Sequence, residues 1–303
     1  LSEVRLFNGT RIIRSLSFIT WGLFLKLVIA DRIGLFVDNV YMDHSLYSGI
    51  TLFLTAVLYS VQIYCDFAGY TDIMIGISEL FGISLSQNFK TPYLASNISE
   101  FWRGWHMTLS SFLRDYIYIP LGGNRKGDLR KYINIMIVFL VCGFWHGNGY
   151  KFLAWGLLHG IFSVLTDLAS KSRLSILVKG IPGTVINFFL VTFAWIFFRA
   201  DSLSQAVSFI LAMISGNSSS AGLMADIKLM EIGSIEIHIA IVSMIILFIA
   251  DYMAASKKTD VPELICNTGE IKRDMVFVFI SVIVLIFGKY GETDIGKFIY
   301  MAF

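Results

Sequence analysis

Repeated apolar stretches of helical length constrain the fold of this chain more than any other feature. A helix that crosses a bilayer needs about 20 mostly apolar residues, within a range of about 17–25. Runs of this character cover residues 15–31, 48–66, 132–146, 149–168, 183–199, 235–255 and 274–290. Within lipid, only helices and closed barrels satisfy all their backbone hydrogen bonds internally. We therefore predict an all-α polytopic membrane protein, embedded in a lipid bilayer.

The composition supports this class and excludes others. Hydrophobic residues make up 56% of the chain and charged residues 15%, whereas soluble domains have about 45–50% and about 25%. The net charge of +2 is too small to indicate a nucleic-acid partner. The three cysteines show no metal-ligand spacing, so we expect no metal site.

The distribution of Lys and Arg predicts which side of the membrane each loop faces, because basic residues are retained on the cytoplasmic side. Seventeen of them lie in four alternate segments, 1–14, 85–131, 169–182 and 256–273. Only three lie in the opposite segments, 32–47, 147–148, 200–234 and 291–303. We therefore expect the chain to start inside and end outside. The stretch 67–84, which contains Asp72 and Glu79, then cannot be a lone crossing, and we predict a partly buried or re-entrant helix there.

The long inner segment 85–131 is the richest in polar residues. Asn97 and Glu100 have the spacing of a capping box, and an apolar stripe at steps of three or four predicts one amphipathic helix after them. That stripe comprises Ile98, Phe101, Trp105, Leu109, Phe112 and Tyr116. A second, polar stripe comprises Arg103, His106, Ser110 and Arg114.

Two interpretations of this segment remain open. An interfacial helix with its cations toward anionic headgroups explains the basic residues 125–131 well. A buried polar site enclosed by aromatic residues better explains Arg103, Arg114 and Asp115, which are interleaved with Trp, Phe and Tyr.

Two of the five histidines, His106 and His146, each follow a tryptophan. An ionisable group at membrane depth is costly and indicates function. A desolvated imidazole is neutral and can accept a proton, as a general base must. Because His106 belongs to an inner segment and His146 to the outer end of a run, the pair suggests a path through the protein. We interpret His159, in an apolar helix, as a hydrogen-bonded packing residue.

Several long motifs carry a resemblance to a known family. They read QIYCDFAGYTDIMIGISELFGI (62–83), NFKTPYLASNISEFWRGWHMTLSSFLRDYIYIPLGGNRKG (88–127) and GFWHGNGYKFLAWGLLHG (143–160), with WGLFLKLVIADRIGLFVDNVY (21–41) and FGKYGETDIGKFIYMAF (287–303). They resemble the membrane-bound O-acyltransferases, in particular the alginate O-acetyltransferase branch with its peptidoglycan O-acetylating relatives. We predict one membrane domain, 1–303, most family-like over 21–160. Members are usually longer, so we expect spans missing before Leu1.

The resemblance implies a fold and an activity. The fold is a multi-helix bundle with a transmembrane tunnel and interfacial or re-entrant helices. An acetyl group from a cytoplasmic thioester, acetyl-CoA, crosses the bacterial cytoplasmic (inner) membrane to a hydroxyl of an envelope polysaccharide or peptidoglycan. A partner acetyltransferase outside the membrane often completes the transfer, and no bound cofactor is expected. His146, in a Trp-His-Gly motif, is then the catalytic base, and His106 the second essential histidine.

We assign further roles around these histidines. Cations and turn amides suit anions, so arginines and the basic turn are expected to bind donor phosphates, and Ser110 to help orient the thioester. The predicted substrate- or donor-binding residues are Arg103, Trp105, Ser110, Arg114, Trp145 and Asn148. Asp66, Asp72 and Asp115 are expected to neutralise the arginines.

Three alternatives remain. The sister branch that moves D-alanine toward teichoic acid shares both histidine motifs. A proton-coupled transporter could use the histidines as a relay, although such folds usually contain internal repeats and the later half holds no second copy of 62–127. A scaffold without chemistry of its own could recruit a periplasmic enzyme.

Overall fold

A computed structural model describes residues 9–216 and 220–290, and these residues form helices and connecting loops without a β-strand. The α-helices are Gly9–Leu23 (α1), Asp31–Met42 (α2), Gly49–Leu80 (α3), Ile98–Gly104 (α4), Met107–Leu113 (α5), Gly127–His146 (α6), Tyr150–Ser170 (α7), Gly180–Arg199 (α8), Leu203–Ser215 (α9), Ser220–Leu229 (α10), Ser234–Ser256 (α11), Val261–Cys266 (α12) and Glu270–Phe287 (α13). Phe24–Ala30 and Arg114–Tyr118 are π-helical. The expected outer segment 291–303 and the start of the chain before Gly9 lie outside the described residues.

Within residues 9–216 and 220–290, five helical stretches are long and apolar enough to cross a membrane, which confirms an all-α polytopic membrane protein. They are Gly9–Met42, Gly49–Leu80, Tyr150–Ser170, Gly180–Arg199 and Ser234–Ser256. The predicted runs 132–146 and 274–290 lie in α6 and α13, which are not among the five. Charged residues occupy the first turns of both helices, so their apolar length is shorter.

Of the two forms predicted for 67–84, the structure shows a partly buried helix over residues 67–80, which continues the preceding run rather than forming an element of its own. Helix α3 continues without interruption for 32 residues, a length of about 48 Å at 1.5 Å per residue, against a hydrocarbon core of about 30 Å. The charge of Glu79, which indicated a break, is compensated by an ion pair with Arg14. A charged residue near the end of a long helix therefore did not require a new element.

The described residues divide into two compact units. The first unit comprises residues 9–34, 61–91 and 233–290, and the second comprises 35–60, 92–216 and 220–232. In the first unit, Lys26 Nζ lies 2.8 Å from Asp31 Oδ1 and 2.6 Å from Asp66 Oδ1, and all three side chains are buried. Lys26 lies within the π-helical segment that follows α1, and Asp31 is the residue directly after that segment.

In the second unit, α6 and α7 form a hairpin in which the two backbones touch. A Cβ atom added to Gly156 would lie 2.3 Å from the carbonyl oxygen of Phe139, and one added to Gly143 would lie 2.4 Å from that of Phe152. Small residues permit such close approach of membrane helices. The hairpin therefore fixes the last turn of α6, where His146 lies, against the first turns of α7.

Candidate active site

The segment predicted to form one amphipathic helix is broken at His106. Its start is as expected, because Asn97 Oδ1 accepts a hydrogen bond from the Glu100 N–H at 3.0 Å. Helix α4 then ends before Trp105, and α5 begins after His106. The prediction of one continuous helix is wrong because His106 has left-handed backbone angles, φ 42° and ψ 56°, which interrupt a right-handed helix.

Side-chain and backbone contacts hold this break in place. The Ser110 hydroxyl donates to the carbonyl oxygen of Trp105 at 3.2 Å, and the Ser110 N–H donates to the carbonyl oxygen of His106 at 3.0 Å. The buried Trp105 ring stacks on Phe101 and lies 5.0 Å from Trp195. A left-handed residue costs about 1–2 kcal/mol, so surrounding contacts are needed to maintain it.

The His106 imidazole is buried, with 8% of the residue exposed. Its ring centroid lies 6.1 Å from that of Trp145. Burial lowers the pKa of His106 from 6.5 to about 4, because desolvation disfavours the imidazolium. The side chain is therefore neutral near pH 7 and can accept a proton or share a hydrogen bond with a ligand.

His146 is the last residue of α6 and is enclosed by aromatic rings. Its ring centroid lies 4.8 Å from that of Trp145, 5.0 Å from Trp155 and 5.2 Å from Phe198. The next residue, Gly147, has φ +155°, and a Cβ there would lie 2.6 Å from the ring of Phe152. Only glycine fits this turn, which is why the helix can end with His146 directed among these rings.

The structure brings the two predicted histidines together around one side chain. The Trp145 indole contacts the imidazoles of both His106 and His146. Trp145 itself is 54% exposed, so part of its ring is accessible. Residues from the two ends of the sequence-predicted path thus meet at one place in the second unit.

The structure contradicts one of the two interpretations of this segment, the buried polar site for Arg103, Arg114 and Asp115, although His106 of the polar stripe is buried. Arg103, Arg114 and Asn148 are exposed, and Arg114 forms an exposed ion pair with Asp115 at 2.7 Å. The break at His106 changes the direction of the helix after α4, so residues spaced for one face no longer share it. Arg103 and Arg114 are therefore available to an anionic ligand only from the surface.

The predicted acidic counter-ions have mixed outcomes. Asp115 pairs with Arg114 as expected. Asp66 pairs with Lys26 rather than with an arginine, so that prediction is wrong. Among the described residues, Asp72 forms no ion pair with an arginine.

The glycine turn before α6 uses its own amides. The N–H groups of Gly122, Gly123 and Arg125 donate to carbonyl oxygens within the turn. The amide nitrogen of Asn134 donates to the carbonyl oxygen of Gly123 at 2.9 Å and so anchors the turn to α6. These three N–H groups therefore already have acceptors, and Lys126 is an exposed cation at the turn.

Sequence reasoning missed two tryptophans that complete the environment of the histidines. The Trp102 indole N–H donates to His159 Nδ1 at 3.3 Å, so the hydrogen bond expected for the buried His159 is present. The Trp155 ring lies 5.0 Å from that of His146 and 4.9 Å from that of His159. The signal was present, because residues four apart on a helix are neighbours and Trp155 precedes His159 by four. Within the part of the chain that the structure describes, no cluster of His, Cys, Asp or Glu could hold a metal ion.

The sequence matches a family model and several curated proteins. A family model described as MBOAT, membrane-bound O-acyltransferase family, matches residues 6–203. The peptidoglycan O-acetyltransferase of Helicobacter pylori is 46% identical over 198 residues, 65% of this chain and 38% of the relative. The probable alginate O-acetylase of Pseudomonas putida is 37% identical over 197 residues, 64% of this chain and 40% of the relative. The teichoic acid D-alanyltransferase of Bacillus subtilis is 30% identical over 159 residues, 50% and 40% of the two chains. The chain spans less than half the length of these curated relatives.

Proposed function

Because this chain belongs to the membrane-bound O-acyltransferase family, we propose that it transfers an acetyl group from a thioester donor to a hydroxyl of an envelope polymer. One observation carries the proposal: two buried histidines, His106 and His146, contact the same indole, that of Trp145. The relatives named for O-acetylation of peptidoglycan and alginate favour acetyl as the group and a polysaccharide as the acceptor.

In the proposed reaction, His146 acts as the general base. The acceptor hydroxyl oxygen forms a bond to the thioester carbonyl carbon while His146 takes the hydroxyl proton. The carbon–sulfur bond then breaks, and the departing thiolate receives that proton. A general base typically contributes about 10²–10⁴-fold in rate. The neutral His106 orients the acyl group from the other side of Trp145.

The remaining assignments concern how the substrates reach this pair. Acetyl-CoA is the proposed donor, entering from the cytoplasm, and surface arginines Arg103 and Arg114 with the basic turn bind its phosphates. The side chains proposed to contact donor or acceptor are Trp105, Ser110, Trp145 and Asn148. We further propose that 1–303 is one membrane domain with a transmembrane tunnel, in a bacterial cytoplasmic membrane. An extracytoplasmic acetyltransferase is the proposed partner.

The His146→Ala variant tests the proposed function. It should reduce ester-linked acetate on envelope polymer to the level of a strain without the gene, because the variant lacks the proposed general base. The measurement is mass spectrometry of the polymer, with the amount of protein in membranes quantified by immunoblot. His238→Ala is the matched control, since His238 is exposed on α11, and it should leave acetate unchanged. Wild-type acetate in the His146→Ala strain would exclude the assigned role.

D-alanyl transfer is the second candidate, favoured by the similarity to a teichoic acid D-alanyltransferase. The same spectra distinguish the two, because a D-alanyl ester carries an amine and differs in mass from an acetyl ester. Transfer of label from radiolabelled acetyl-CoA by purified protein separates both enzymes from a transporter or a scaffold.

A further inference from the structure

Two buried N–H groups beside His146 have no hydrogen-bond acceptor among the described residues. They are Nε1 of Trp155 and Nε2 of His159, in residues that are 1% and 0% exposed. A buried donor left unpaired destabilises the folded protein, because it has lost its hydrogen bond to water without gaining another. Such groups are rare in native proteins and point to a strained site, a catalytic role or a bound partner.

The protonation of His159 follows from its other nitrogen. The indole N–H of Trp102 can only donate, and it donates to His159 Nδ1 at 3.3 Å. Nδ1 therefore presents its lone pair, and the proton of the neutral ring is on Nε2. The unpaired nitrogen of His159 is thus a hydrogen-bond donor, like the indole nitrogen of Trp155.

Trp155 is a direct neighbour of the proposed base, His146, and His159 is in turn a direct neighbour of Trp155. The Trp155 ring meets the His146 ring edge to face, with centroids 5.0 Å apart and planes at 89°. It meets the His159 ring at 4.9 Å and 69°. Trp155 is therefore the shared neighbour of the base and of the second donor, all within the second unit.

We propose that Trp155 Nε1–H and His159 Nε2–H form a donor pair that binds the carbonyl oxygen of the acyl group as it reacts at His146. This inference rests on the proposed acyl transfer. When the hydroxyl oxygen bonds to the carbonyl carbon, the C=O electron pair moves onto the carbonyl oxygen, and the two N–H groups stabilise that charge. When the C=O bond re-forms, the thiolate leaves and takes the proton held by His146.

The chemistry of the pair matches this ligand. A carbonyl oxygen has two lone pairs and no proton, so it satisfies two donors that lack an acceptor. Donors held in a water-excluded site act strongly on a developing oxyanion, and removing one typically costs about 10²–10³-fold in kcat. The competing explanation is that His159 only joins α4 to α7 through Trp102, which predicts a different ranking of variants.

The Trp155→Phe variant removes one donor and keeps an aromatic ring. We expect its kcat to fall about 10²–10³-fold while KM for acetyl-CoA changes little, because the interaction forms in the transition state. Trp195→Phe is the matched control, since its ring stacks on Trp155 at 5.7 Å but its N–H already donates to the Tyr93 hydroxyl at 3.1 Å. Equal kcat in the two variants would overturn the donor pair.

Two substitutions of His159 separate donation from joining the helices. His159→Asn retains an acceptor near the Nδ1 position and so retains the Trp102 hydrogen bond, whereas His159→Gln places an amide N–H near the Nε2 position. The donor pair predicts higher kcat for the Gln variant, although the Asn variant unfolds at the higher temperature. Higher kcat for the Asn variant would show that His159 acts only by packing.

One assay distinguishes failure of the proposed acyl transfer from failure of the donor pair. It uses the protein purified from membranes into lipid nanodiscs, radiolabelled acetyl-CoA as donor and de-O-acetylated envelope polymer as acceptor. If the wild type transfers no label, the proposed function fails and this inference fails with it. If the wild type transfers label and His146→Ala does not, but Trp155→Phe matches the wild type, only the donor pair is overturned.

Discussion

His106 combines a left-handed backbone with a buried imidazole, and each feature costs free energy in the folded protein. The backbone conformation alone costs about 1–2 kcal/mol for an L-residue. Strain of this kind persists where surrounding contacts impose it and is common at functional sites. The contacts here are the hydrogen bonds from Ser110 across the break and the ring of Trp145.

The lowered pKa of His106 makes stability depend on pH. The pKa is about 4 in the folded chain, against an ordinary value of 6.5, so the unfolded chain binds a proton first as the pH falls. Titration of His106 therefore leaves the free energy of unfolding unchanged above about pH 6.5. Between pH 6.5 and pH 4 it lowers that free energy by up to about 1.4 kcal/mol per pH unit. His106→Asn should remove this decline, because Asn tolerates the left-handed conformation and does not titrate.

Apparent melting temperatures at pH 7 and pH 5 check the prediction. The difference in melting temperature between pH 7 and pH 5 should be smaller in His106→Asn than in the wild type. The control His238→Ala should show the same difference as the wild type. An identical pH difference in His106→Asn and wild type would contradict a buried neutral imidazole at this position.

At this scale, local features were predictable from the sequence and tertiary ones were not. The cap at Asn97 depends on residues within one turn, so its spacing identified it. The left-handed angles of His106 depend on packing between residues far apart in sequence, namely His106 against Trp145 and the preceding Trp105 against Trp195. The spacing of residues within 98–116 therefore could not predict these contacts. The roles assigned to the histidines stay predictions.

Among the elements, the α6–α7 hairpin depends most on exact spacing. Gly156→Ala would place a Cβ 2.3 Å from the backbone carbonyl oxygen of Phe139, and the helices would have to separate. Overpacking of this kind typically costs about 1–3 kcal/mol. We therefore expect a lower melting temperature and, because the turn carries His146, lower acetyl transfer.

Gly149→Ala is the matched control in the same hairpin. Its Cβ would meet the nearest atoms, on Lys151 and Phe152, at 3.6 and 3.8 Å, which is ordinary contact. Its backbone is extended, with φ −80°, so alanine fits without strain. Similar melting temperatures for the two alanine variants would show that the helices are not in the close contact described.

Element prediction succeeded where apolar length decided the outcome. Of the five described stretches that are long and apolar enough to cross a membrane, four are single α-helices that each match one predicted run to within three residues at its start, and the first, Gly9–Met42, contains run 15–31. It did not predict that residues 67–80 continue the helix of the preceding run in α3, because the partner of Glu79, Arg14, was unknown. It failed at His106, where one amphipathic pattern became two short helices. In both cases a contact distant in sequence decided where a helix ends.

At the scale of the whole molecule, the stability of the fold depends on the buried ion-pair cluster around Lys26. One cation lies between two buried carboxylates, those of Asp31 and Asp66. Removing one partner of a buried ion pair typically costs about 3–5 kcal/mol, because the opposite charge stays desolvated. Lys26→Met should therefore greatly reduce the amount of folded protein in membranes.

A second substitution distinguishes this cause from a packing defect. Asp66→Asn added to Lys26→Met removes one of the two carboxylate charges, so we expect partial recovery of folded protein. The measurement is the monodisperse fraction in size-exclusion chromatography after detergent extraction. Lys257→Met, at an exposed position, should match the wild type. No recovery in the double variant would contradict the electrostatic explanation.

For the whole molecule, too, some features were predictable from the sequence and others were not. The membrane class followed from composition and apolar runs, and the family from long motifs that the family model also matches over residues 6–203. The partner of Asp66 could not be predicted, because Lys26 is 40 residues away and sequence offers several other cations. The tunnel, the donor and the acceptor stay predictions.

The two seven-residue helices on either side of His106 have a consequence for how the protein is made. Isolated helices shorter than about 12–15 residues are marginal in water, so α4 and α5 take shape only against their neighbours. Those neighbours, on α6, α7 and α8, leave the ribosome later. We therefore expect His106 to be synthesised before His146 but to reach its final conformation after it. A nascent chain arrested before α8 would then be inserted in the membrane without a completed histidine site.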